Sequence, residues 1–302
     1  MYGQGFPCGT LPSHVCILDI YDLIFMKRLF WFILAFSFWG GDVCAVVPDK
    51  DAWKGNVPLE PLDHAKLECI YYYLLCDPIR NESREYHDIL LLGDSLSLWK
   101  DYGHYRLDSV IQEIGRENLP YEEFSKLYDL YIKGYMRYVL KYPGKSCLEM
   151  YDKVFLDYHI YTEPFPDFSW SLESDTLMVC GFLCRKATCS FRGREWTAWY
   201  AEDFAVSDGP WKFTGLPGLI LQVEDSKREH VIRAVTLRKG GSPLRHEDHY
   251  YIPTTREKFN RSLAGYKENP RAAWGDLAPR NLDGTPAVPR HKRAFFNPME
   301  LE

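Results

Sequence analysis

Three clusters in this sequence combine residue type and spacing in ways that could do chemistry. Arg192 and Arg194 flank a single glycine, with Glu195, Glu202, Asp203 and Asp208 close behind. Two guanidiniums so placed can clamp a carboxylate or phosphate in bidentate fashion. The same pattern also describes a solvated strand edge protected by charge. Trp199 and Trp211 would line a site there, whereas alternation along a regular strand puts Trp196 and Trp199 on opposite faces. His246, Glu247, Asp248 and His249 form a second cluster, but they follow a Gly-Gly-Ser-Pro loop and two histidines do not complete a metal site. Cys180, Cys184 and Cys189 have roughly zinc-like spacing and no second cluster to complete four ligands. No H-E-x-x-H, Gly-rich phosphate loop or G-x-S-x-G elbow occurs. No catalytic residue, metal or cofactor is therefore assigned.

The compartment bears on the cysteines. Met26-Lys27-Arg28 supplies positive charge, residues 29–39 are apolar but for one Ser, and Val43-Cys44-Ala45 ends in small residues. These are the parts of a secretory signal peptide, with cleavage expected after Ala45. The apolar run is too short for a membrane span. Residues 1–25 look unlike any signal and are expected to be a mis-called extension before Met26. Export permits disulfides among Cys69, Cys76, Cys147, Cys180, Cys184 and Cys189, with pairing unreadable and buried thiols the rival. The net charge of −6 gives no electrostatic case for nucleic acid or an anionic membrane.

The elements that must position these residues change along the chain. The high aromatic content favours strands. Residues 66–76, 86–92 and 96–99 read as strands separated by turn signals. Leu107, Val110, Ile111 and Ile114 make one helical face, and Phe124, Leu127, Tyr128 and Tyr131 a second. Gly115, Pro120 and Gly134 punctuate that pair. Residues 146–162, a hairpin over 187–200, and 211–213, 219–223 and 230–237 read as further strands, which implies an antiparallel sheet. Thr254 with Glu257 reads as a capping box opening a last helix, with Phe259 and Leu263 on its buried side and Gly265 at its end. Residues 266–302 read as an extended, charged tail.

Residues 209–221, Gly-Pro-Trp-Lys-Phe-Thr-Gly-Leu-Pro-Gly-Leu-Ile-Leu, resemble the signature of the GLPGLI family. Phe168-Ser169-Trp170, the Gly181 to Ala187 stretch, Phe191 to Tyr200 and the closing Asn297-Pro298-Met299-Glu300-Leu301-Glu302 are similar to further family segments. Phe182 stands where the family more often has Tyr. The resemblance implies an exported bacterial envelope protein and brings no activity, because the family is of unknown function. On physical grounds, Pro217 fixes φ and Gly218 can take positive φ in a type II turn between two strands. A rigid sheet corner accounts for the string, and a concavity of bare N–H groups at Gly215 and Gly218 is the binding alternative.

The expected architecture is α+β: one curved antiparallel sheet over 46–265 carrying an inserted helix pair and a C-terminal helix. Such a sheet can leave a hydrophobic trough. The first functional expectation is a non-enzymatic envelope binding or accessory protein, periplasmic or outer-membrane associated, for an apolar molecule, a peptide or a membrane partner. A hydrolase-like enzyme would instead need Arg192 or Arg194 to converge with His230 and an acid in a pocket. A structural assembly subunit would be marked by an exposed apolar patch or by its 266–302 tail lying on another chain.

Overall fold

A computed structural model describes residues 59–115, 119–132, 135, 137–247, 249–274 and 293–301. These belong to the second of two compact units, Lys50–Glu302. The expected signal peptide and N-terminal extension lie outside the described residues, as do Gly134 and Asp248. No described helix is long and apolar enough to cross a membrane.

The fold is α+β, as its patterning implies. In chain order the strands are β1 (Leu59–His64), β2 (Leu67–Asp77), β3 (Glu82–Leu92) and β4 (Ser97–Asp101), then helices α1 (Tyr102–Ile114) and α2 (Tyr121–Tyr131). There follow β5 (Tyr138–Tyr142), β6 (Cys147–Val154), β7 (Asp157–Pro164), β8 (Ser171–Val179), β9 (Phe182–Phe191) and β10 (Arg194–Ala201). The chain continues with β11 (Leu219–Asp225), β12 (His230–Lys239), β13 (Pro243–Glu247), β14 (Tyr251–Pro253), α3 (Arg256–Glu268) and α4 (Pro270–Trp274). Twelve strands form one curved sheet in the order β14-β7-β6-β5-β4-β3-β2-β12-β11-β10-β9-β8, and β1 pairs with β13 apart from it. Every pairing is antiparallel except β14 with β7. Register shifts in β12 and β10 add local twist, as bulges do.

The central strands are buried on both faces, which is why β2 reads as an almost unbroken apolar run. Cys69, Tyr71, Tyr73 and Leu75 alternate onto the larger core, with Leu90 and Leu92 of β3. Ile70, Ile89 and Leu91 point the other way, into a smaller core with Leu98 and Leu140. Helix α1 packs on that second side, against β3 and β4. Asp101 caps it, its carboxylate accepting from the His104 N–H at 2.8 Å. The stripe of α2 closes on α1 rather than on the sheet, through Leu107, Ile111, Phe124 and Leu127. Helix α3 packs on the first side, where Phe259 enters the larger core.

Several local expectations are corrected. Trp211–Phe213 is not a strand but part of a turn, with φ +49° at Trp211 and all three side chains buried. Thr255, not Thr254, caps α3, accepting from the Lys258 N–H at 3.3 Å. Gly265 does not end that helix, which runs to Glu268. In the Gly215–Ile220 string positive φ falls at Gly215 (+92°) and not at Gly218. Gly218 is required for a different reason: a Cβ there would sit 2.4 Å from the Ala201 carbonyl oxygen. The string is a corner wedged against the end of β10.

Candidate functional site

The concave side of the sheet carries a cavity of about 520 Å³. Its floor is Tyr73, Leu75, Tyr86, Met150 and Tyr161 from β2, β3, β6 and β7. Phe259, Leu263 and Tyr266 of α3 and residues 295–301 of the C-terminal segment complete its lining. Alternation explains the floor: each of these strands turns every second side chain to this side.

Segment 293–301 is fastened along its length, including backbone bonds from Ala294 to the Lys267 carbonyl at 2.7 Å and from Leu301 to the Arg192 carbonyl at 3.0 Å. Arg293 donates to Asp77 at 2.6 Å, and the Phe296 N–H donates to the same carboxylate at 2.9 Å. The Asn297 amide donates to the Cys76 carbonyl at 2.7 Å and to Glu229 at 2.9 Å. Arg194 donates to the Pro298 carbonyl at 2.8 Å and to the Asn297 side chain at 2.6 Å. Glu300 pairs with Arg192 and, at 2.7 Å, with Lys212. Burial pushes the Glu300 carboxyl up, but Lys212 and Arg192 outweigh it and hold the group below the usual range.

The arginine clamp is therefore real, but its carboxylates are the chain's own. Arg192 also donates to Glu163 at 2.9 Å, and buried Arg194 to Asp225 and Glu229 at 2.8 and 2.9 Å. Its turn is tight, with φ +44° at Arg192 and +78° at Gly193. Of the other residues singled out by sequence, Trp211 lines the cavity. Trp199 is half-buried and away from it, Gly215 lies beneath Trp170, and Gly218 lies against Ala201. His246 meets the Tyr138 hydroxyl at 2.7 Å and the ring of His249 stacks on Tyr158 at 4.0 Å. Among the described residues no disulfide joins Cys69, Cys76, Cys147, Cys180, Cys184 or Cys189. Burial pushes the Cys189 thiol up to about 12, so it is a poor nucleophile.

Arg194, Asp225, Glu229 and His230 do converge. His230 is fully buried, with Nδ1 2.8 Å from the Tyr73 hydroxyl. Burial, then the charge of Arg194, pulls its pKa well down, so the ring is neutral. Asn297 and Pro298 lie between this group and the cavity.

Sequence reasoning missed the cations at the cavity: Arg84, Arg137 and Lys267 face it, and Lys153 borders it with its ammonium turned 4.7 Å over the ring of Tyr158. Arg137 lies 4.4 Å over the ring of Tyr135, and Arg84 lies 4.3 Å over Phe295. The one available signal was spacing on β3, where Arg84 and Tyr86 are two apart and so share a side.

Residues 192–222 match the model of a family described as Porph_ging: Protein of unknown function. That stretch holds the arginine turn, β10 and the Gly215–Ile220 string. No curated protein matches the chain. Two solved structures, of PNGF-II in the P21 and C2 space groups, are similar at TM-scores of 0.44 and 0.43. Both are 12% identical over 67% of this chain and 33% of theirs, so the chain spans about a third of their length.

Proposed function

We propose that this chain is an exported, non-enzymatic binding or accessory protein of the GLPGLI kind, whose trough takes a mostly apolar small molecule. The observation that carries this reading is the cavity of about 520 Å³, floored and walled by aromatic and aliphatic side chains. Its size and lining are those of a small-molecule site. The matched family is one of unknown function, which leaves the reading to the cavity itself. One mark of an assembly subunit is weakened, because segment 293–301 lies on its own chain.

Native mass spectrometry of the protein, gently purified from its own cell envelope, tests the proposal. A small non-covalent adduct is the expected result. A bare chain that also fails to take up a hydrophobic fluorescent probe would remove it. One observation favours the hydrolase alternative, the convergence of Arg194, His230 and acids. Ester hydrolysis appearing on deletion of residues 297–302, and lost in His230→Ala, would support that alternative instead.

A further inference from the structure

Five cationic side chains and two carboxylates line the cavity. Lys212 and Glu300 pair with each other. That leaves Arg84, Arg137, Lys153 and Lys267 against Asp152, with the Lys153 ammonium turned away, 4.7 Å over the ring of Tyr158. Among the described residues, none of the four has a carboxylate oxygen within 4.0 Å, the limit of an ion pair. The Nε of Arg137 is buried and makes no hydrogen bond. Asp152 spends one oxygen on the Lys153 N–H at 2.7 Å, and burial pushes its carboxyl up despite the nearby Arg137 charge. Burial likewise pulls the Lys153 and Lys267 amines below the ordinary lysine range. The hydroxyls of Tyr73 and Tyr135 beside Arg137 are neutral and bring it no counter-charge; Tyr73 also meets His230, and Tyr135 donates to Asp88 at 2.8 Å. A guanidinium stays charged even when buried, so an unpaired one costs free energy until an anion meets it.

We propose that the occupant of this cavity is an amphipathic anion, one apolar chain or ring system with a carboxylate or phosphate head. The head lies at Arg137, with Lys267 beside it, and the apolar body runs between Tyr86, Leu263 and Phe295. This rests on the binding reading above and adds the charge of the ligand and its orientation. Charge-assisted hydrogen bonds to the head supply specificity, and burial of the body supplies affinity.

The test is calorimetric titration of the full chain with decanoate, decyl phosphate and decanol. At least one anion should bind tenfold or more tightly than decanol, and the preferred anion identifies the head as carboxylate or phosphate. Arg137→Met should lower anion binding to the decanol level and leave decanol binding unchanged. Decanol binding as tightly as both anions overturns the proposal and leaves an apolar-ligand protein. Failure of all three to bind overturns both. If Arg137→Met does not fold, Lys267→Gln is the second variant, and it should weaken anions severalfold and spare decanol. Undiminished anion binding in the folded variants overturns the placement of the head.

Discussion

Two charged regions lie close together on the same side of the sheet and are built on opposite terms. Around Arg192, Arg194 and Lys212, each cation has carboxylate partners: Glu163, Asp225, Glu229 and Glu300. Around the cavity, three cations, Arg84, Arg137 and Lys267, share Asp152, which lies beyond ion-pair distance of them. Both regions are rich in aromatic side chains, but Arg194 and Lys212 are buried, whereas Arg137 and Lys267 are half-buried and Arg84 is exposed. They differ also in saturation. Saturated charges are held by, and hold, the protein's own chain, here segment 293–301. Unsaturated ones are a cost that folding alone does not recover.

The comparison breaks first at Arg194. Arg194→Ala should destabilise the fold by about 3–5 kcal/mol, because Asp225 and Glu229 are left buried without their partner. Equilibrium urea unfolding reads this, and a loss below 1 kcal/mol would mean that the network is not structural. Gly218→Val should cost about 1–3 kcal/mol or more through overlap with the Ala201 carbonyl, seen as lost soluble, folded yield. Full stability there with a lost interaction would turn the Gly215–Ile220 corner into a binding feature. Glu300→Gln should cost about 1–3 kcal/mol and loosen the end of the chain, which limited proteolysis at 293–301 would register.

A pH experiment sharpens the contrast from the other side of Tyr135. Asp88 is fully buried, and burial, with the charge of Asp101, pushes its pKa up to about 8. Its folded value exceeds its unfolded one, so its contribution is complete below the unfolded pKa and is lost as pH rises through about 8. His230 has the opposite sign, its folded value being depressed, and acts only below its unfolded value of about 6.5. Between pH of about 6.5 and 8.5, thermal stability should therefore fall, and Asp88→Asn should flatten that slope. In a domain of this size each kcal/mol moves Tm by roughly 2–4 °C. The smallest effect belongs to the cavity: Lys267→Gln should change stability by no more than about 0.5 kcal/mol in the absence of ligand. A loss comparable with that at Arg194 would show that the cavity cations are structural too, and the contrast would dissolve.

Much of the fold was legible because its signals are local. Leu107, Val110, Ile111 and Ile114 specify a helical face wherever they sit, and the β2 segment reads as a strand buried on both sides. Trp211–Phe213 misled, because two aromatics either side of Lys212 look like strand alternation and occur equally in a loop that buries all three side chains. Gly218 was singled out correctly for the wrong reason, since a steric contact with Ala201 has no local signature. The site was barely legible: Arg192 and Arg194 stood out by spacing, while Arg84, Arg137, Lys153 and Lys267 are scattered over 184 residue numbers' worth of chain, from β3 to α3.

By itself, then, the order of residues determined the α+β class, the helix pair, the tight Arg192-Gly193 turn and the presence of a charged cluster beside it. Only the tertiary structure decided which charges are spent and which are left over. Pairing depends on distance and desolvation between segments far apart in sequence. Arg194 is satisfied because residues 297 and 298 return to it, and Arg137 is unsatisfied because no carboxylate among the described residues comes within reach.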